Sequence, residues 1–180
     1  MKIFDKGFKD IAIYEFFSIA MSLVAGTFLA VYTDKLILVP GMLLLMPGFL
    51  EMRGNISGSF ASRLSSGLFL RLIKPSKMNT RIIRGNLLAS FILAFLISLF
   101  LGIFAFLFSY YIFGIYELRI IILPVVAGII ANAVEIPFTL FATFYFFSKG
   151  HDPNNIMGPL ITSTGDVTSI VALLIAVAVI

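Results

Sequence analysis

The chain has 180 residues, of which 60% are hydrophobic and 12% charged, with 20 Phe, no Cys and a formal net charge of +4. Water-soluble domains carry about 25% charged residues, so this composition excludes an ordinary soluble fold and points to an integral membrane protein. The lack of Cys excludes disulfides and thiolate metal sites. The surplus Lys and Arg fall in short stretches between apolar segments, which membrane topology explains better than a nucleic-acid groove does.

A membrane-crossing helix needs roughly 20 predominantly apolar residues. The first such run covers residues 11–32 and is closed by Thr33-Asp34-Lys35. At about 22 residues it is too long for a signal-peptide core, so it reads as a retained span. The second run extends from 36 to 73. As one helix it would reach about 55 Å against a hydrocarbon core of about 30 Å, so breaks are expected at Pro40-Gly41 and Pro47-Gly48, where Pro removes a helix hydrogen bond and crowds the preceding turn. A third span is expected over 87–113, a fourth over 120–147 with interruptions at Pro124 and Pro137, and a fifth over 156–180. No flanking soluble domain and no internal repeat are expected from the sequence. The expected fold is an all-α integral membrane protein of five transmembrane helices with a Pro-broken second helix, a single transmembrane domain over 1–180.

Orientation follows from Lys and Arg. The N-terminus carries Lys2, Lys6 and Lys9; the 71–84 stretch carries Arg71, Lys74, Lys77, Arg81 and Arg84; the 148–155 loop carries Lys149. Five spans put all three segments on one side, and the positive-inside rule makes that side cytoplasmic in a cell-membrane protein, with the C-terminus outside. The 71–84 cluster reads as topology, with anionic-lipid contact as an addition.

Ionisable groups inside spans cost about 2.5–3.5 kcal/mol on insertion scales, so each needs a reason. The 47–66 stretch is a polar island with three of them, Glu51, Arg53 and Arg63. Helical spacing puts Asn55, Ser59, Ser62, Arg63 and Ser66 on one face, and Gly54, Gly58 and Ala61 on an adjoining strip suited to close helix packing. Asp166 lies about 15 Å along the fifth span, with Gly158, Thr162, Ser163 and Ser169 at helical spacing around it. This stripe reads either as the lining of a cation path or as helix packing. In the fourth span Asn132, Glu135, Thr139 and Thr143 share a face. There Glu135 is either a second cation site or a structural partner of Arg53 or Arg63. Glu15 sits near one end of its span and can snorkel to the interface.

Enzyme readings fail. Ser163-Thr164-Gly165-Asp166 is similar to the Gly-x-Gly-Asp motif of intramembrane aspartyl proteases, but that chemistry needs a second Asp sharing a proton, and Asp5, Asp10, Asp34 and Asp152 lie at or beyond span ends. His151 is the one His in the chain, which excludes His-Glu-x-x-His zinc chemistry. Walker and dinucleotide glycine patterns are absent.

Gly54-Asn55 followed by Ala61-Ser62-Arg63-Leu64-Ser65 resembles the signature of the MgtE-type magnesium transporters, in the form seen in the related solute carrier 41 branch. Asp152-Pro153-x-Asn155, Pro159, Thr162-Ser163 and Gly165-Asp166 resemble the matching fifth-helix motif. The resemblance implies a five-helix unit in the membrane lipid, used as a homodimer or as two fused copies, with a path for Mg²⁺ at the interface that the second and fifth helices line. In it Asp166 corresponds to the pore carboxylate that holds the ion through its hydration shell, and Gly54 and Asn55 line the same path. Hydroxyls of Thr162 or Ser163 would complete a partly hydrated site, and Glu135 would be the first residue to test for exchange against Na⁺ or H⁺. The cytoplasmic magnesium-sensing modules of the bacterial family have no counterpart here, which leaves room for a separate regulatory subunit. The rival expectation is a helper membrane subunit whose polar stripes serve assembly alone.

Overall fold

The computed structural model describes residues 6–180 as five helices: α1 (Lys6–Leu36), α2 (Met42–Phe69), α3 (Arg81–Phe113), α4 (Arg119–Ser148) and α5 (Pro153–Val179). Lys2, part of the basic N-terminus, lies outside the described residues. Four of the helices, α1, α3, α4 and α5, are long and apolar enough to cross a membrane. α2 is long enough at 28 residues, but the charges and serines of the 47–66 island dilute its apolar content.

The helices run past the expected spans. α1 continues through Thr33-Asp34-Lys35 to Leu36 instead of stopping at residue 32. The second run does divide near Pro40-Gly41, where Gly41 adopts φ +84° and opens α2. It does not break at Pro47: α2 is continuous through it. The physical reason is position. Pro47 is in the second turn, so the helix forgoes one hydrogen bond, to the Leu43 carbonyl, close to an end where unpaired groups are already present. Pro124 sits at the corresponding point of α4. That helix also continues through the central Pro137, so neither expected interruption of α4 occurs.

Helix ends are built by recognisable caps. Thr80 accepts a hydrogen bond from Ile83 N at the start of α3, and Asp152 accepts one from Asn154 N ahead of Pro153 at the start of α5; side-chain caps of this kind satisfy otherwise orphaned N–H groups. Gly114, at φ +67°, ends α3.

α2 is the central helix and packs against α3, α4 and α5; α4 packs against α3 and α5, and α1 lies mainly on α5. The close approach of α3 has a clear cause. After Ile83 its buried residues, Ser90, Ala94, Ser98, Gly102, Ala105 and Ser109, form a small-residue stripe at helical spacing, while Phe95, Phe100, Phe104 and Phe108 are exposed on the outside. In lipid, where apolar burial between helices has no solvent drive, such stripes allow backbones to touch. A Cβ on Gly102 would collide with the Ile121 backbone. Gly102→Ala is therefore expected to cost about 1–3 kcal/mol through overpacking, seen as a lower melting temperature in detergent; an unchanged melt would contradict this helix contact.

The three basic segments meet at one end of the bundle. Lys6 Nζ donates to Gly150 O at 2.9 Å, and His151 Nδ1 lies 2.8 Å from Asp10 Oδ2, so the start of α1 touches the α4–α5 loop. Phe69, at the end of α2, packs edge-on against Phe147 at 5.2 Å between ring centres, which brings the 71–84 stretch to the same end.

Candidate functional site

α2 and α5 run antiparallel, and polar groups open along their seam among apolar ones. One part is a groove of about 370 Å³ bounded by Pro47, Leu50, Glu51, Gly54, Asn55, Thr162 and Asp166. The next part, about 220 Å³, is bounded by Gly58, Ala61, Ser62, Pro153, Asn154, Met157 and Gly158. The α5 contributors Asn154, Gly158, Thr162 and Asp166 are spaced four residues apart, so one helix face supplies all of them. The α2 contributors follow the same rule in the opposite chain direction.

Within this groove Asn55 Nδ2 donates to Glu51 Oε1 at 3.0 Å, a contact one helical turn apart. Thr162 Oγ1 donates to Gly158 O at 2.9 Å and keeps lone pairs for another partner. The Asp166 side chain is half-buried and makes no hydrogen bond or close ion pair among the described residues, though the buried Arg53 guanidinium lies near enough to act on its charge. Two carboxylates, an amide oxygen and a hydroxyl thus line one groove, an all-oxygen set suited to a hard divalent cation. No cluster of three or more His, Cys, Asp or Glu side chains occurs among the described residues.

Of the residues singled out in the sequence, Gly54, Asn55, Thr162 and Asp166 share the groove. Ser163 and Glu135 do not. Ser163 is buried, and its hydroxyl donates back to Pro159 O at 2.9 Å, the usual fate of Ser in a lipid-embedded helix. Glu135 is 1% exposed and pairs with Arg53, whose Nη2 lies 3.6 Å from Glu135 Oε2. Of its two open readings, structural partner of Arg53 is the one with the geometry. Thr164 and Thr168 also donate to Glu135, at 3.3 and 3.2 Å. Arg53 in turn donates to Asn132 Oδ1 and Thr168 Oγ1, both at 3.4 Å, and its Nε has no partner. This network ties α2, α4 and α5 together directly behind the groove. Gly165 sits over it, where a Cβ would stand 3.7 Å from both Arg53 Nη2 and Glu135 Oε1.

Two members of the arrangement are hard to see in sequence. Glu51 faces the groove because it precedes Asn55 by one turn, and that spacing was its signal. Arg53 is buried because it lies within the apolar arc Phe49, Met52, Ile56 and Phe60, a pattern that outranks its charge in setting its direction. The glycine strip also differs from expectation. Ala61 packs against Met157, Leu160 and Ile161 of α5, but a Cβ on Gly54 or Gly58 would meet nothing within 4 Å. Contacts inside this chain therefore do not explain those two glycines.

No curated protein and no solved structure matches the chain. The profile of the MgtE family, described as divalent cation transporter, matches residues 46–176, which takes in nearly all of α2 and the whole of α3 and α4, and α5 up to its last turn. The match covers most of the chain and includes every groove residue named above, and with it the polar α2–α5 seam in an apolar bundle has its family: the chain belongs to the MgtE divalent cation transporters.

Proposed function

We propose that the α2–α5 groove is the cation path, that Mg²⁺ is its cargo, and that two copies of the chain face each other across it. The observation that carries the reading is the half-buried Asp166 carboxylate, which makes no hydrogen bond or close ion pair and lines the same groove as Glu51 and Asn55. Carboxylates left in a membrane interior without a pairing group mark ion pathways. Mg²⁺ demands six oxygens in near-octahedral geometry and dehydrates reluctantly. Asp166, Glu51, Asn55 and Thr162 would hold it through retained water, and a second copy would close the open side. The empty space around Gly54, Gly58 and Gly158 supports this, because it leaves room for a hydrated ion or for a partner helix.

The basic end of the bundle is read as cytoplasmic, with the N-terminus inside and the C-terminus outside. An inside-negative potential then contributes about 2.3 kcal/mol per charge per 100 mV to inward movement, and twice that for a divalent ion, so uptake needs no nucleotide. The stretch Ala61-Ser62-Arg63-Leu64-Ser65 favours the solute carrier 41 branch. Arg53 and Glu135 act in this reading as the scaffold that holds α2 and α5 in register.

The absence of Cys makes single-thiol variants clean probes. Ser62→Cys and Asn154→Cys, reconstituted in liposomes with a Mg²⁺ dye inside, should lose flux when treated with a bulky cationic thiol reagent. Leu96→Cys, on the exposed face of α3, should keep it. Gly58→Cys should form a disulfide between two copies on mild oxidation. Full flux after complete labelling of both groove thiols would reject the path, and failure of Gly58→Cys to crosslink would reject this dimer face.

A further inference from the structure

The α2–α3 connection, the most basic stretch of the sequence, holds a left-handed backbone position that is not glycine. Arg71 adopts φ +58°; every other positive-φ residue among those described is glycine. A side chain in the left-handed region is disfavoured, and the default residue after a helix C-terminus in that conformation is Gly. The turn around it is firmly built: Leu70 N donates to Ser66 O at 2.9 Å, and Ile73 N to Gly67 O at 3.0 Å. Ile73 folds back onto Gly67, so closely that a Cβ there would stand 2.7 Å from Ile73 Cδ1. The fold therefore keeps an Arg side chain where local geometry asks for none.

That side chain lines a cavity of about 500 Å³ together with Lys74, above a floor of Leu68, Phe69, Ile73 and Phe147. The chain beside it alternates in character. Phe69, Leu70 and Leu72 are 51%, 69% and 65% exposed, interleaved with the exposed Arg71 and Lys74. Apolar side chains pointing outward beside cations, at the end of a bundle that crosses a membrane, fit the boundary between acyl chains and headgroups.

We propose that this cavity is a binding site for an anionic phospholipid. Its headgroup phosphate would pair with Arg71 and Lys74, and an acyl chain would lie on Phe69 and Phe147. Arg suits the phosphate because its planar fork can donate two hydrogen bonds at once. The site shares no lining residue with the α2–α5 groove.

The chain has no Trp, so Phe69→Trp places a unique fluorophore at the cavity. In vesicles, brominated phosphatidylglycerol should quench it at a lower mole fraction than brominated phosphatidylcholine. Adding Arg71→Gly and Lys74→Gln should remove that preference, about fivefold for each cation lost. Arg71→Gly alone should melt no lower than its parent, since glycine relieves the backbone, so a lost preference cannot be ascribed to unfolding. Equal quenching by the two lipids in the parent would overturn the proposal, as would a preference that survives both substitutions. Relief of the phosphatidylglycerol quenching by millimolar inorganic phosphate would also overturn it, by showing a site for free anions instead.

Discussion

Asp166→Asn is expected to reduce Mg²⁺ flux through reconstituted protein to the leak of empty vesicles, with helix content and melting temperature close to the parent. The substitution keeps the shape of the side chain and removes its charge. No hydrogen bond or close ion pair of the fold uses that carboxylate, and Arg53, whose charge it helps balance, keeps Glu135 as its direct partner. The ion has much to lose. At 4 Å and an effective dielectric of 20, a pair of unit charges interacts by about 4 kcal/mol, and a divalent ion doubles the charge on one side. Even a fraction of this corresponds to roughly a hundredfold in occupancy. Glu51→Gln should weaken flux less, because Glu51 is exposed and already accepts a hydrogen bond from Asn55. Flux through Asp166→Asn equal to the parent's would remove Asp166 from the path.

The second large effect concerns stability. Glu135→Ala is expected to destabilise the protein by about 3–5 kcal/mol, because removing one partner leaves the other charge buried and uncompensated. Arg53 and Glu135 are each 1% exposed, whereas the hydroxyls of Thr164 and Thr168 keep the Leu160 and Thr164 carbonyls of their own helix as acceptors. The pair Arg53→Met with Glu135→Leu should recover much of the loss, since two apolar groups of similar volume need no partner. Thermal unfolding in detergent of the parent, Arg53→Met, Glu135→Leu and the double variant measures the coupling directly. A coupling near zero would mean that the pair does not hold the three helices together.

These two carboxylates illustrate what could be read before the fold was known. Asp166 and Glu135 both stood out as ionisable residues in apolar spans, and spacing alone gave each a polar stripe. Their different positions follow from which helix faces which: Asp166 turns toward an open seam, Glu135 toward an Arg supplied by α2. Sequence separation hides that pairing, because Arg53 and Glu135 come from helices whose contact is decided by the small-residue faces of their neighbours. The same holds for Ser163, adjacent to Thr162 in sequence but rotated by one position into the bundle.

What the amino-acid sequence determined by itself was the class, the number of helices and the location of the polar residues. Lipid forces every backbone group into internal hydrogen bonds, so hydropathy and length translate into helices almost directly, and a polar island in such a chain is conspicuous. Pro47, Pro124 and Pro137 marked the limit of that reading: a proline's cost depends on where in a finished helix it falls and on what packs around it. Only the tertiary structure decided which polar residues share the α2–α5 groove, which are buried as scaffold, and that Glu51 belongs with the former and Arg53 with the latter. The reason is rotational. Helical periodicity assigns residues to faces, but the direction each face takes is set by packing between helices, here by the Ser90-to-Ser109 stripe of α3 and the apolar arc of α2.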